Sequence, residues 1–408
     1  MNTLVLTSAE NFVWQSMQEI IPSLERTWLK SGRKNGHFVE RVNVDESPLS
    51  SYMAKALAAE NIVLTCFNHK LARTAVHLRK TLSVEARFFI YLHNQATIGC
   101  WPFHHWGLGE VLREDDVFIS SCTRDQEAFS LCFKNASSRL LPFTLETPPK
   151  FLGDVTAVRV PPFVYVGRLS DQKNLSCLLE AFQPLARENK DASLILYGGE
   201  DGLGSPNMGL ASTSVLKDLK DQCSRLEIGE RVHFMGFTAR EKLWEDLCSK
   251  PHVFVSPSLH SDENFGMAAF FSLALGMPAV LTAWGGHQDF PAHFPGQVHL
   301  VSVREKESRP WVDPKEFGAA LNNSRRSFEK PHEKSLPEVY SEERVSRTLY
   351  EWAKEKSSPG RPLEKTELAE KILRQKKQWE KENPCRIFTS YQDPLTAPFF
   401  RAYGMKLP

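Results

Sequence analysis

The chain has 408 residues, of which 41% are hydrophobic, and this length is typical of two domains with ordinary apolar cores. Fifty basic and 49 acidic residues leave a net charge of +1, so charge gives no reason to expect a nucleic acid partner. Eight scattered cysteines, without a CxxC pair or a zinc-like spacing, argue against a disulfide framework and are typical of reduced thiols in a cytoplasmic protein.

The first half of the chain alternates short apolar runs with helical patterns. The N-terminus has no basic region before its short apolar run, so no signal peptide is expected. Near-continuous apolar runs of strand length, separated by helices, are typical of parallel strands covered on both faces. We therefore predict a Rossmann-like, doubly wound α/β domain over 1–150. Its strands are expected at 4–8, 38–44, 61–68, 86–94 and 116–122.

The same rhythm restarts after a break near 147–150, which predicts a second Rossmann-like domain over 151–340. The longest apolar stretch, 268–284, contains Gly276 and Pro278 and is better explained as helix, turn and strand than as a membrane span. A Lys- and Glu-rich helix and an aromatic tail over 341–408 are expected to pack back on the domains. Second-domain strands are expected at 161–169, 193–200, 231–237, 252–258 and 278–284, with helices at 174–188, 214–226, 239–250 and 265–275.

In open α/β sheets, ligands bind beyond the carboxyl ends of the strands, so the loops after strands are the places to search. The loop YVGRLSDQKN carries Gly167, which allows close backbone approach, and two cations, Arg168 and Lys173, just before a predicted helix. Two cations at a helix N-terminus suit a phosphate or diphosphate. The alternative is a loop with two solvated basic residues.

The stretch DENFGMAAFFS places Asp262 and Glu263 just before a helix predicted to start near Phe265. Acids at this place favour the positive end of the helix dipole, so capping explains one of them. The second acid, followed by Gly266, leaves room for recognition of a polar ligand, with phosphate at the helix end and a sugar hydroxyl on the carboxylate.

Two further loops carry candidates. Gly285 and Gly286 follow a strand directly, so their backbone N–H groups could face a ligand, although a plain turn is an equal alternative. In the first half, the aromatic residues that follow the fourth strand could stack on a sugar ring or simply pack locally. These residues are Trp101, Phe103 and Trp106. The adjacent histidine pair in this stretch has no carboxylate at a suitable spacing, so no metal is expected.

Five motifs then occur in a recognisable order: GRLSDQKN, LYGG, VHFMGF, VSPSLHSDENFG and LALGMPAVLTAWGG. Together they resemble the C-terminal donor domain of retaining GT-B glycosyltransferases, most closely glycosyltransferase family 4, over roughly 163–289. The first half matches only in its rhythm and in His93, which follows a strand. The resemblance implies two tandem Rossmann-like domains with an interdomain cleft, a nucleotide-sugar donor linked to UDP or GDP, and no metal or other cofactor.

The resemblance also implies roles for individual residues. Arg168 and Lys173 would hold the donor diphosphate and stabilise the leaving group. Glu263 would match the first acid of the family's E-x7-E motif and contact the transferred sugar, and His93 would contact the same sugar. Donor contacts are expected from the following stretch: Asn264, Phe265, Gly266 and Met267.

The chain departs from the family pattern at two places. The second acid of the E-x7-E motif, which binds the ribose hydroxyls in the family, falls on Phe271, and the first strand is followed by TSAENF instead of a glycine-rich loop. A lost hydrogen bond to a charged group costs about 1.5–3 kcal/mol, which weakens binding. Loss of a group that stabilises leaving-group charge costs about 10²–10³ in rate. The cations nearest the reacting bond are retained.

We therefore expect an active, metal-independent retaining glycosyltransferase of hexosyl or hexosaminyl type. Its acceptor hydroxyl would belong to a glycan, a lipid or a protein, and it would act in the cytoplasm, with a peripheral membrane association left open. The alternative is an inactive GT-B-like binding subunit that supports a partner glycosyltransferase, and Phe271 is the residue that favours it. A third interpretation is a nucleotide-sugar epimerase on the same fold.

Overall fold

The structure, a computed structural model, describes residues 1–9, 15–93, 100–145, 149–153, 160–200, 214–261, 263–307, 309–326, 336–356, 359–382 and 395–407. The chain divides into two compact units. The first comprises Met1–Glu146 and Pro337–Lys381, and the second comprises Thr147–Leu336 and Glu382–Pro408. The segment 341–408 is thus shared between the two units.

The first unit is built on a six-stranded parallel sheet with the order β2-β1-β3-β4-β5-β6. Its strands are β1 (Asn2–Thr7), β2 (Phe38–Asn43), β3 (Asn61–Leu64), β4 (Arg87–Tyr91), β5 (Val117–Ser120) and β6 (Ser137–Leu140). Its helices up to residue 130 are α1 (Gln15–Asn35), α2 (Leu49–Ala58), α3 (His69–Lys80), α4 (Trp101–His105) and α5 (Thr123–Ser130). The central strands β3, β4 and β5 are buried at every position, which explains their unbroken apolar sequences.

The second unit contains another six-stranded parallel sheet, with the order β12-β11-β10-β7-β8-β9. Its strands are β7 (Phe163–Val166), β8 (Leu194–Tyr197), β9 (Val232–Gly236), β10 (Val253–Ser256), β11 (Ala279–Thr282) and β12 (Val298–Val301). Two further short strands, β13 (Arg304–Lys306) and β14 (Arg309–Trp311), pair in a small antiparallel ribbon. Its helices up to residue 326 are α6 (Leu175–Glu188), α7 (Val215–Arg225), α8 (Arg240–Ser249), α9 (Met267–Ala274), α10 (Phe290–His293) and α11 (Pro314–Arg326). The strand order reverses between β7 and β10, so the loops after these two strands diverge there and leave room for a ligand.

The last part of the chain adds helices to both units. Helices α12 (Glu342–Lys354) and α13 (Glu367–Glu382) follow, and α14 (Ala397–Tyr403) belongs to the second unit. Within the described ranges, no helix is long and apolar enough to cross a membrane. Seven of the eight cysteines fall in these ranges and are free thiols.

Both sheets have the parallel, doubly wound architecture that the sequence predicts. Two edge strands, β6 and β12, were not predicted, because the sequences SSRL and VHLV are short and partly exposed and lack the continuous apolar run of a central strand. The helix expected near Phe265 begins two residues later, at Met267.

A buried ion pair holds together the ends of three elements of the first unit. Arg79 on α3 donates to Asp116 at 2.8 Å, and their side chains are only 5% and 0% exposed. The same carboxylate accepts from the backbone N–H groups of Phe88 and Arg113, each at 2.8 Å. Since one buried carboxylate accepts from all three groups, its removal should cost far more stability than the loss of an exposed pair.

We predict that Asp116→Ala lowers the free energy of unfolding by about 3–5 kcal/mol, because it leaves the Arg79 guanidinium buried without a counter-charge. Equilibrium unfolding in urea measures this value. The control is Glu110→Ala, which removes the exposed Lys80–Glu110 pair and should change stability by about 1 kcal/mol or less. A loss for Asp116→Ala no larger than that of the control would contradict the prediction.

Candidate functional site

The loop after β7 is held close to the loop after β8 by glycine backbone contacts. Gly167 N–H donates to the Tyr197 carbonyl at 2.9 Å, and a Cβ on Gly198 would lie 1.8 Å from the Gly167 carbonyl oxygen. Gly198 also has φ +147°, which side chains rarely adopt. The Tyr165 hydroxyl donates to the Arg168 carbonyl at 2.8 Å. The backbone that carries Arg168 is therefore fixed on both sides.

The loop after β10 is tied to the same place. Leu259 N–H donates to the Gln172 carbonyl at 2.9 Å, and the Asn174 side-chain amide donates to the Pro257 carbonyl at 3.2 Å. Asn174 itself has φ +54°, the left-handed conformation that asparagine tolerates, and it separates a short 3₁₀ turn from α6. The two loops at the switch point thus form one hydrogen-bonded unit.

Lys173 and Glu263 meet at the centre of this unit. The Lys173 Nζ lies 2.6 Å from Glu263 Oε2, with side-chain exposures of 15% and 11%, and the Ser258 hydroxyl donates to the same oxygen at 2.6 Å. His287 Nε2 lies 3.9 Å from the other carboxylate oxygen. Burial alone would raise the pKa of Glu263, but the adjacent Lys173 ammonium outweighs burial through its charge and its hydrogen bond and holds this pKa well below its usual range.

Arg168 is held by a histidine that the sequence analysis did not single out. An Arg168 guanidinium NH₂ group donates to His260 Nε2 at 3.0 Å. Because an arginine can only donate, this nitrogen of His260 must be the unprotonated acceptor. Burial, together with the nearby charges of Lys173 and Arg168, lowers the pKa of His260 well below its ordinary value, which keeps the ring neutral.

Helix α9 begins directly beside the ion pair. Gly266 precedes its first residue with φ +84°, and a Cβ at Gly266 would lie 2.9 Å from the His287 ring. Glycine is therefore required there, and the chain enters the helix only at Met267. The Glu263 carboxylate does not cap this helix but accepts from Lys173. The first N–H groups of α9 have no acceptor within the helix, and they add the positive end of its dipole to the site.

The stretch between Glu263 and α9 contributes mainly backbone. Phe265 is only 3% exposed and packs its ring on Phe270 and Phe290, with centroid distances of 5.1 and 5.7 Å. Its side chain is therefore core, and only its main chain remains for a ligand. Asn264 and Met267 are half-buried, and Asp262 lies outside the described residues.

The role predicted for Gly286 is corrected by the structure. Its N–H donates to the Glu263 carbonyl at 2.7 Å, and a Cβ there would lie 2.6 Å from the Asn264 carbonyl oxygen. This amide braces the loop after β10 and does not face a ligand. Gly285 has φ +51°, and its contact with the nucleotide-sugar donor stays a prediction.

His93 lies in the first unit, at the carboxyl end of β4. It has φ +41°, an uncommon conformation for a residue with a side chain, and its Nε2–H donates to the Thr65 carbonyl at 2.7 Å. Burial lowers the pKa of His93 to about 4. The ring is therefore neutral at pH 7, with Nδ1 as its acceptor nitrogen, and its contact with a donor sugar stays a prediction.

The aromatic residues predicted to stack on an acceptor sugar divide into two cases. Phe103 is fully buried and packs on Phe67 at 4.3 Å between ring centroids, so it is a core residue and the prediction for it is wrong. Trp106 is half-buried and stacks on the same Phe67 at 5.1 Å, which is local packing. The side chain of Trp101 lies outside the described part of the structure.

Phe271, at the position where the family resemblance would place a second acid, is a core residue. It is 9% exposed and stacks on Trp244 of α8, with ring centroids 3.6 Å apart and an interplanar angle of 20°. Leu243, Leu247 and Leu275 belong to the same buried cluster. The site therefore keeps its cations and one carboxylate, while an apolar contact between two helices replaces the other carboxylate.

Several polar residues of the site were missed from the sequence. They are Ser258, His260, Thr282 and His287. All of them end a strand or lie in loops after β10 and β11, so their position was the available signal, but their residue types are equally common in ordinary loops. Among the described residues, no group of three His, Cys, Asp or Glu side chains could hold a metal ion.

Comparison with known proteins gives matches in the region of the chain that contains these site residues. Residues 158–302 match the family model of the glycosyl transferases group 1. Over 121 residues the chain is 34% identical to mannosylfructose-phosphate synthase of Agrobacterium fabrum, a match that covers 30% of this chain and 25% of that protein. The chain thus spans about a quarter of the length of this curated relative.

Solved structures resemble most of the chain in fold. Anabaena HepE, solved in complex with UDP and glucose, aligns with a TM-score of 0.56 at 13% identity and covers 93% of this chain and 99% of that one. The lipopolysaccharide outer core galactosyltransferase WaaB aligns with a TM-score of 0.57 at 14% identity, covering 86% and 97%. These matches confirm the predicted resemblance to GT-B glycosyltransferases and the predicted pair of Rossmann-like domains.

We predict that Glu263→Gln lowers the free energy of unfolding by about 1.5–3 kcal/mol at pH 7, because the Lys173 ammonium loses its charged acceptor. The folded-state pKa of Glu263 lies below its ordinary value of 4.5. The ion pair therefore stabilises the fold fully above about pH 4.5 and is lost as the pH falls further.

Urea unfolding at several pH values tests this prediction. The difference between wild type and variant should be constant from about pH 6 to 8 and should shrink below about pH 4.5. Glu316→Gln, which removes the exposed Arg304–Glu316 pair in the same unit, is the control and should have little effect at any pH. A stability difference that is absent at pH 7 would refute the assigned role of Glu263.

Proposed function

We propose, from the match of its second domain to the group 1 glycosyl transferases, that the protein is a retaining glycosyltransferase. It would move a hexose-type sugar from a nucleotide-sugar donor to an acceptor hydroxyl of a glycan, a lipid or a protein. The observation that carries the proposal is the convergence of Arg168, Lys173 and the start of α9 at the strand switch point of the second sheet.

The charges at this point suit a diphosphate. Arg168 is paired with a neutral histidine, so its positive charge is uncompensated by that partner. Lys173 shares its charge with Glu263, but an ammonium has three donors and its bond to Glu263 uses one of them. The guanidinium can donate two parallel hydrogen bonds to phosphate oxygens, and the ammonium acts as a compact positive charge. The helix N-terminus adds backbone N–H groups and the positive end of the helix dipole. UDP- or GDP-linked sugars are the proposed donors, in line with the UDP found in the HepE structure.

The chemistry follows from where negative charge develops. As the bond between the sugar C1 and the phosphate oxygen loosens, charge accumulates on the departing diphosphate, and Arg168, Lys173 and the α9 end stabilise it. The acceptor hydroxyl attacks C1 from the face that the phosphate leaves, and its proton passes to the departing phosphate oxygen. The anomeric configuration is therefore retained. These protein charges supply what a metal ion would supply, so the reaction is proposed to be metal-independent.

Two residues are proposed to contact the transferred sugar. Glu263 remains ionised in the folded state, and its carboxylate can accept from a sugar hydroxyl through the oxygen that faces His287. His93 in the first unit, with a neutral ring and Nε2 committed to Thr65, presents Nδ1 as an acceptor. Both groups are acceptors, which suits hydroxyl-rich ligands.

A non-catalytic binding subunit is the second candidate, and Phe271 is the observation that favours it. A buried aromatic ring at this position cannot hold a ribose hydroxyl. Such a loss weakens donor binding by about 10- to 100-fold, since it corresponds to one charged hydrogen bond. The groups at the bond being broken are present, however, and these groups determine the rate of the chemical step. The enzyme is therefore the better-supported proposal.

We predict that Arg168→Ala and Lys173→Ala each reduce donor-dependent turnover by about 10²–10³-fold, because each removes one charge from the leaving diphosphate. The measurement is release of UDP or GDP from a panel of nucleotide sugars, with and without EDTA. Release by wild type, even by slow hydrolysis, supports the enzyme.

The matched control for these variants is Arg187→Ala. Arg187 lies on α6 of the same unit, is 58% exposed and pairs with the exposed Glu227, so its removal should leave turnover unchanged. Unchanged turnover in Arg168→Ala and Lys173→Ala would remove the mechanism. Binding of nucleotide sugars without any turnover by wild type would favour the binding subunit, and donor isomerisation without an acceptor would indicate an epimerase.

We also predict that Phe271→Glu does not restore a ribose contact but destabilises the second unit by several kcal/mol, because it buries a carboxylate against Trp244. Phe271→Leu, which keeps an apolar side chain, should cost about 1.5 kcal/mol or less. Thermal unfolding and UDP titration of both variants provide the comparison. A Phe271→Glu protein that is as stable as wild type and binds UDP more tightly would show that this prediction is wrong.

A further inference from the structure

The C-terminal segment 395–407 packs against the loop that follows β11. The Tyr403 ring meets the Trp284 ring edge-on, with ring centroids 5.6 Å apart. The Phe400 ring also contacts the Trp284 ring, at 6.2 Å between centroids. The Gln288 side-chain amide donates to the Tyr403 carbonyl at 2.9 Å. Trp284 and Tyr403 are fully buried and Phe400 is 1% exposed, so this is a packed interface within the second unit.

Two glycines show how close the contact is. Gly285 has φ +51°, and a Cβ there would lie 2.8 Å from the Tyr403 ring. Gly404 has φ +124°, and a Cβ there would lie 2.4 Å from the Ala283 carbonyl oxygen. The segment is also fixed beyond α14, because the Lys406 carbonyl accepts from the Glu305 N–H at 2.8 Å and the Lys406 N–H donates to the Val303 carbonyl at 3.0 Å. Its position is therefore determined on both sides of Tyr403.

The loop held by this segment leads directly to the donor-site cations. The Trp284 indole N–H donates to the His260 carbonyl at 2.8 Å, and the His260 ring accepts from Arg168. A parallel connection runs through Gly286, whose N–H donates to the carbonyl of Glu263, the partner of Lys173. Each cation is thus two contacts away from the loop that the C-terminal segment covers.

We propose that the C-terminal segment 395–407 is a positioning element for the donor site: Tyr403 fixes Trp284, and Trp284 fixes His260 and thereby the guanidinium of Arg168. Trp284, His260 and Tyr403 are positioning residues, since they act through the cations. The nature of the ligand rests on the proposed function, whereas the mechanical connection does not.

The physical basis is the low tolerance of packed interiors for voids. A buried indole N–H must keep an acceptor. If the Trp284 ring tilts into the space left by Tyr403, its hydrogen bond to the His260 carbonyl either breaks or is kept only by a shift of the His260 backbone. A shift of about 1 Å in a group that positions a ligand can cost about 10²-fold in rate. Loss of the Tyr403 ring should therefore change the position of the Arg168 guanidinium.

The test compares Tyr403→Leu with Phe182→Leu in the full-length protein. Phe182 is fully buried in the same unit and packs edge-on against Phe163 of β7, so both variants lose one buried ring. Both should lower the melting temperature. Only Tyr403→Leu should weaken UDP or GDP binding, by about tenfold or more, and reduce kcat. Tyr403→Phe, which keeps the ring, should retain wild-type binding, and Trp284→Phe, which replaces the indole by a smaller ring without an N–H donor, should weaken binding.

A second readout needs no nucleotide. In NMR spectra of the free protein, Tyr403→Leu should accelerate solvent exchange of the Trp284 indole proton and shift the His260 ring nitrogen resonances, whereas Phe182→Leu should do neither. If wild type binds neither UDP nor GDP, the proposed function fails while this readout still decides the positioning role. Equal exchange rates and unchanged His260 resonances in Tyr403→Leu would overturn the inference.

Discussion

The site depends on one ion pair at the strand switch point of the second sheet. Lys173 from the loop after β7 meets Glu263 from the loop after β10, and the pair is largely shielded from water. Because the strand order reverses between these two strands, only their loops diverge enough to hold side chains between them. The other members of the site, His260, His287 and the start of α9, are arranged around this pair.

The sequence predicted those features that depend on local pattern. Buried parallel strands appear in the sequence as unbroken apolar runs. Arg168 and Lys173 are recognisable as two basic residues in the loop between an apolar strand and the next helix. The order of the motifs added a resemblance to glycosyltransferases, and the family match over 158–302 confirms that resemblance. Edge strands β6 and β12 were not predicted because partial exposure removes the apolar run on which the prediction depends.

The rest of the site depends on contacts between residues that are distant in the sequence. The sequence could not show that Glu263 binds Lys173 instead of capping α9, because both roles require an acid in the same place. Phe103 resembled a sugar-stacking residue until its burial in the first unit was visible. The contact between Tyr403 and Trp284 joins segments more than a hundred residues apart, for which no local pattern exists.

The central claim is that Arg168, Lys173 and the start of α9 together bind the diphosphate of an activated sugar. A crystal structure of the protein grown with UDP or GDP tests it most directly. The account predicts phosphate oxygens within hydrogen-bonding distance of the guanidinium, the ammonium and the first backbone N–H groups of α9. A diphosphate bound elsewhere on the protein, with Arg168 still donating to His260 and Lys173 still paired with Glu263, would contradict the account.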